Sequence, residues 1–163
     1  MKKNYCEVIA ETETQRFNTT ANTRFTFASS VKLNQSTMWI TGGSFSDEKH
    51  LNSTEIVTVI GSKAGVNLPF TVFGHCMVQY QPDAILLIGG RQNGHTFDKT
   101  WIIDPTNGFE ITEGPSLKKG RILHTCGKLE DKNGNVLVIV AGGFGINSVE
   151  VLNTTTMQEW VKG

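Results

Sequence analysis

One short pattern occurs three times and constrains this chain more than anything else in it: a run of β-branched and aliphatic residues that ends in two glycines. It reads Thr37-Met38-Trp39-Ile40-Thr41-Gly42-Gly43, then Ala84-Ile85-Leu86-Leu87-Ile88-Gly89-Gly90, then Val136-Leu137-Val138-Ile139-Val140-Ala141-Gly142-Gly143. Apolar runs this short, bounded by turn residues, read as buried strands rather than helices. From Gly42 to Gly89 is 47 residues and from Gly89 to Gly142 is 53.

More than the doublets recurs. Candidate first strands precede them at Phe27–Leu33, His75–Tyr80 and His124–Leu129, and candidate third strands follow at Thr54–Val59, Thr100–Asp104 and Ser148–Leu152. Fourth strands are legible as Ile111-Thr112-Glu113-Gly114-Pro115 and Trp160-Val161-Lys162-Gly163, whereas none is clear near Val66-Asn67-Leu68-Pro69. The third repeat is longer by the polar insertion Glu130–Asn135, whose Asn133-Gly134 predicts a hairpin turn. A period near fifty, made of strands, is the signature of a β-propeller. Setting Glu7-Val8-Ile9 against Glu150-Val151-Leu152 divides the chain into residues 1–21, the outer strands of an incomplete blade, and whole blades over 22–70, 71–120 and 121–163.

The chain resembles a run of kelch repeats. The resemblance rests on the three hydrophobic-Gly-Gly doublets, Arg121-x-x-His124 ahead of a first strand, Ser148-Val149-Glu150-Val151 after a doublet, and Asp104-Pro105 ahead of Gly114-Pro115. Arg24 is the counterpart of Arg121 in the first repeat, and Val72 stands there in the second. The resemblance implies an all-β fold, a kelch-type propeller of four-stranded antiparallel blades. Propellers close with about four to eight blades, so the expectation is an incomplete ring. Its missing blades would come from a longer parent chain or from a homodimer.

Composition narrows the function. Fifteen basic and fifteen acidic residues among 163 cancel, which offers nothing to nucleic acid. Apolar runs fall far short of the roughly 20 residues that span a bilayer, so no membrane insertion is expected. No signal peptide is legible at Met1-Lys2-Lys3. The glycine pairs Gly42-Gly43, Gly89-Gly90 and Gly142-Gly143 lack the Gly-Lys-Ser/Thr of a phosphate loop and read as structural, where positive φ and close backbone approach are required.

His75 and His124 occupy equivalent places with Phe27 in the first repeat, too few ligands for a metal, and are expected to be hydrogen-bonded structural histidines. Arg24 and Arg121 are expected to bridge to a glutamate such as Glu55 or Glu150. Trp39, Trp101 and Trp160 read as packing between blades. Cys76 and Cys126 are offset by one residue on corresponding strands, so their side chains point to opposite faces, which argues against a disulfide. Cys6 is left unpaired. Asn18, Asn34, Asn52 and Asn153 head N-glycosylation sequons and tilt the reading toward a secreted protein, with the cytoplasm as the alternative.

No catalytic residue, cofactor or metal ligand set is expected. The function expected from the resemblance is a non-catalytic scaffold that binds a protein partner through the rim loops Ser44–Ser53, Gly61–Val66, Arg91–Lys99 and Phe144–Asn147. The alternatives are the substrate-recognition part of an intracellular kelch ubiquitin-ligase adaptor, an actin-binding kelch protein and, third, a galactose-oxidase-like enzyme.

Overall fold

The computed structural model describes residues 26–46 and 49–163. Among them every regular element is a strand. Ser29–Asn34 (β1), Thr37–Thr41 (β2), Thr54–Thr58 (β5) and Gly61–Ala64 (β6) form one antiparallel sheet. Between β2 and β5 stands a small hairpin, Ser44–Ser46 (β3) with Lys49–His50 (β4). Cys76–Gln81 (β7), Ala84–Ile88 (β8), Thr100–Asp104 (β11) and Glu110–Glu113 (β12) form the second sheet, with Arg91–Gln92 (β9) and His95–Thr96 (β10) as its hairpin. Thr125–Glu130 (β13), Val136–Ala141 (β14), Val149–Asn153 (β15) and Trp160–Lys162 (β16) form the third. In each sheet neighbours in space are neighbours in sequence, apart from the inserted hairpin.

The three sheets pack face on face. Val31, Trp39, Leu68 and Val72 meet Met77, Ile85, Leu87 and Ile103 between the first and second sheets. Val78, Tyr80, Leu86 and Ile88 meet Val138, Val140, Leu152 and Trp160 between the second and third. Successive sheets approach most closely along their first strands, β1 to β7 and β7 to β13. Because the second sheet is covered on both sides, all five residues of β8 are buried, and that strand tolerates no polar side chain on either face. Trp39 and Trp160 are fully buried and Trp101 packs against the first cluster.

Each sheet is reached by an extended strap, and the straps are laced together by backbone hydrogen bonds. Gly43 N–H donates to Val72 C=O and Gly90 N–H to Arg121 C=O, both at 2.8 Å. Gly74 N–H donates to Phe27 C=O and Leu123 N–H to Gly74 C=O. All six doublet glycines have positive φ, and a Cβ on Gly42 or Gly89 would lie 2.3 or 2.7 Å from the carbonyl oxygen of Val72 or Arg121. Close approach of the next strap is therefore what demands glycine there.

Two expectations need correction. The first sheet does have a fourth strand, β6, but at Gly61–Ala64 rather than near Val66–Pro69, so part of the expected loop Gly61–Val66 is strand. Its Gly-Ser-Lys-Ala sequence carries no β-branched residue because this edge strand buries little, and backbone pairing with β5 sustains it. The equivalent of His75 and His124 is Ala28, not Phe27: Gly43, Gly90 and Gly143 lie against Ala28, His75 and His124 respectively. Phe27 instead matches Gly74 and Leu123, which share φ of 58, 64 and 57°. The left-handed turn repeats while its residue type does not.

The expected strands of residues 1–21 lie outside the described residues, as do Cys6, Asn18 and Arg24.

Candidate functional site

The hairpins β3–β4 and β9–β10 begin directly after Gly43 and Gly90, and each is tied to the strap of its own sheet, Ser44 to Thr26 and Arg91 to Phe73. The second is anchored further by Gln92 Nε2, which donates to Thr71 Oγ1 at 3.0 Å. Between them lies a cleft of about 360 Å³ lined by Phe27, Ser44, His50, Phe73, Arg91 and Gly94. The His50 ring stacks on Phe73 with centroids 4.4 Å apart, and Phe27 stands 6.5 Å from Phe73. Ser44 Oγ donates to the carbonyl of Ser46 inside its hairpin. Arg91 is exposed and joins no ion pair among the described residues. The cleft thus offers two phenyl rings, an imidazole, a hydroxyl and a guanidinium, groups able to stack on and hydrogen-bond a ligand.

Two of the expected rim loops, Ser44–Ser53 and Arg91–Lys99, contribute to this cleft. Phe144–Asn147 forms a turn without strands, and Phe144 is 81 % exposed. Phe73 and His50 were not singled out in the sequence. Phe73 sits beside the strap residue Val72, and only the return of the hairpin brings His50 onto it.

The two histidines lie deeper, at sheet junctions. His75 Nε2 is 2.8 Å from Thr41 Oγ1 of the preceding sheet, and the ring is buried. Burial and, secondarily, the neighbouring His124 lower its pKa to about 3. At the next junction Ile88 replaces Thr41, so His124 has no hydroxyl to meet and neither ring nitrogen makes a well-formed hydrogen bond. Burial, then the charge of Arg121, lowers the His124 pKa to about 4, opposed in part by the Ile88 carbonyl. The expected hydrogen bond is therefore well formed at His75, whereas His124, facing an apolar side chain, has only the weaker approach of the Ile88 carbonyl. Among the described residues no three His, Cys, Asp or Glu side chains gather in a manner suited to a metal ion.

Arg121 forms the expected bridge to Glu150. Its Nη2 donates to Glu150 Oε1 at 2.8 Å and Nε to the same oxygen at 3.2 Å, while Nη1 serves the carbonyls of Gly142 and Ser148 and Nη2 also reaches Ser148 Oγ. The other carboxylate oxygen accepts from Lys118 N–H at 2.7 Å. The group locks the third strap to the turn after β14.

Cys76 and Cys126 are joined in a disulfide with Cα atoms 6.0 Å apart, contrary to the sequence expectation. The one-residue offset does turn the side chains to opposite faces of their sheets. In stacked sheets, however, the facing surfaces are opposite ones, so the offset brings the sulfurs together.

Of the sequon asparagines, Asn34 is exposed at the end of β1, where its Oδ1 accepts from Ser36 N–H in the turn that follows. Asn52 is half-buried and spends its Nδ2 on the Leu68 carbonyl at 3.0 Å. Asn153 ends β15 and accepts from Thr155 N–H. No helix of the described residues is long and apolar enough to cross a membrane. No family model and no curated protein matches the chain.

Proposed function

We propose that this chain is part of a kelch-type β-propeller and acts as a non-catalytic scaffold that binds a protein partner through its rim. The supporting observation is the cleft of Phe27, Ser44, His50, Phe73, Arg91 and Gly94, built from two hairpins that sprout at the same place in successive sheets. Exposed side chains held by short hairpins on a rigid sheet stack suit recognition, because little ordering entropy remains to oppose binding. The kelch reading draws on the thrice-repeated strand-Gly-Gly pattern and the sequential four-stranded sheets. The Cys76–Cys126 disulfide favours an oxidising compartment, and with it a secreted or luminal protein over a cytosolic ligase adaptor.

Affinity capture with chemical cross-linking tests the reading. A specific protein is expected on the wild-type chain and on a Lys63→Glu control, with retention reduced at least about tenfold, or roughly 1.4 kcal/mol, by Arg91→Glu or His50→Ala. Partners held equally by all four proteins would overturn it.

A further inference from the structure

Asn-Gly occurs three times in the chain, at Asn93-Gly94, Asn107-Gly108 and Asn133-Gly134, and all six residues are exposed. The pair carries its own chemistry. Glycine has no side chain to shield its backbone nitrogen, so that nitrogen can attack Cγ of the preceding asparagine and expel the side-chain amide. The attack needs two freedoms: an asparagine side chain able to turn onto the main chain, and a glycine N–H not already spent in a hydrogen bond.

The three turns differ in both. Gly134 N–H donates to Asp131 C=O at 3.0 Å, and the Asp131 carboxylate accepts from the N–H groups of Asn133 and Asn135. Asn107 Nδ2 donates to Glu110 Oε2 at 2.7 Å, and Asn107 N–H to Asp104 Oδ1 at 3.1 Å. Each of these pairs is therefore fastened at one of its two reacting groups. Asn93-Gly94 is fastened at neither: among the described residues the Asn93 side chain makes no hydrogen bond and Gly94 N–H donates to no carbonyl.

The surroundings of that turn are open as well. Asn93 and Gly94 are the two central residues of the β9–β10 hairpin, with φ of 47 and 81°, the left-handed pair of a type I′ turn. A Cβ built on Gly94 would meet nothing within 4 Å. The hairpin has only two residue pairs, Gln92 with His95 and Arg91 with Thr96, whereas the other two turns join strands of four-stranded sheets. A hairpin so short opens at low cost, which gives Asn93 Cγ its path to Gly94 N.

We propose that Asn93 is a site of spontaneous deamidation, which converts the β9–β10 turn from neutral to anionic. Gly94 N gives its proton to solvent base and bonds to Asn93 Cγ, the Cγ–Nδ2 bond breaks, and Nδ2 leaves as ammonia. Water then opens the five-membered imide. Opening at Cγ leaves aspartate; opening at the Asn93 backbone carbonyl leaves isoaspartate, whose main chain runs through the former side chain and is one carbon longer. Either product puts a carboxylate on the hairpin that carries Arg91, which is exposed and joins no ion pair among the described residues. The cleft wall formed by Arg91 and Gly94 thereby changes its charge, and the longer main chain no longer fits a two-residue turn. The inference stands on the geometry of the turn and not on what the cleft binds.

Site-resolved mass spectrometry of the full chain, aged in warm, mildly alkaline buffer with and without urea, tests it, using fragmentation that separates aspartate from isoaspartate. In the folded chain Asn93 is expected to convert at least about tenfold faster than Asn107 or Asn133, a barrier difference of roughly 1.4 kcal/mol. In urea the three rates are expected to converge. Glu110→Ala, which frees Asn107 Nδ2, is expected to speed Asn107 and to leave Asn93 as it was. Asn93→Gln, whose attack would need a larger ring, is expected to remove the main acidic species on isoelectric focusing. Asn93 staying intact in the folded chain while it converts in urea would overturn the proposal, as would Asn107 or Asn133 keeping pace with it in the folded chain. So would rates in urea already spread as they are in the folded chain, since the flanking sequence and not the turn would then set them.

Discussion

Arg121 Nη2 and Glu150 Oε1 lie 2.8 Å apart with 0 % and 3 % of their side chains exposed, a charged pair closed off from water between a strap and a strand. Such a pair is costly to break because the survivor is left charged and dry. Arg121→Ala is expected to destabilise the chain by about 3–5 kcal/mol in urea unfolding. Arg121→Lys should rescue little, since one ammonium cannot replace a planar fork serving Glu150, Gly142 and Ser148. The second sheet places Val72 and Trp101 where the third has Arg121 and Glu150. The double change Arg121→Val with Glu150→Leu is therefore expected to cost less than Arg121→Val alone, a sign that a double-mutant cycle measures directly.

The Cys76–Cys126 bond closes a sequence separation of 50 residues and staples two first strands from different sheets. A loop of that size implies about 4 kcal/mol of stabilisation on the chain-entropy account. Non-reducing mass spectrometry of the tryptic digest is expected to find the Cys76 and Cys126 peptides linked, and Cys126→Ser or reductant should lower the unfolding midpoint. Free thiols at both positions in protein folded under oxidising conditions would refute the pairing.

Much of the sheet order was legible because the signal repeats. Ala84–Ile88 and Thr100–Asp104 are strands at the expected residues. What escaped the sequence lay between repeats. The left-handed turn at Phe27, Gly74 and Leu123 is imposed by strap-to-strap hydrogen bonds, and no common residue type announces it. The Cys76–Cys126 bond is not legible in the alternation of a single strand, because it crosses between the facing surfaces of two sheets. The cleft was half legible: its loops were marked by their polar residues, but the stacking of His50 on Phe73 depends on how a hairpin folds over the next strap.

His75 and His124 give the fold an acid-sensitive window. Both folded pKa values, about 3 and about 4, lie below the ordinary value of 6.5. Between those limits the unfolded chain binds protons that the folded chain refuses, so stability falls as pH falls from 6.5 toward 4. For each histidine that stays neutral the loss is about 1.4 kcal/mol per pH unit. His75→Phe is expected to flatten the dependence of urea midpoint on pH over this window, and an unchanged slope would count against His75 as its source. The Thr41 hydroxyl would lose its imidazole partner, so the comparison is of slopes and not of absolute stability.

Alanine at the first glycine of each pair separates backbone strain from collision. Gly89 and Gly142 have φ of 59 and 68°, so each substitution carries a similar left-handed penalty of about 1–2 kcal/mol. Only Gly89→Ala places its methyl 2.7 Å from the Arg121 carbonyl, and relief requires the strap to move away from Gly90 N–H. Overpacking of this kind costs a further 1–3 kcal/mol or so. Gly89→Ala is therefore expected to unfold at clearly lower denaturant than Gly142→Ala, a difference that urea titration of the two variants measures.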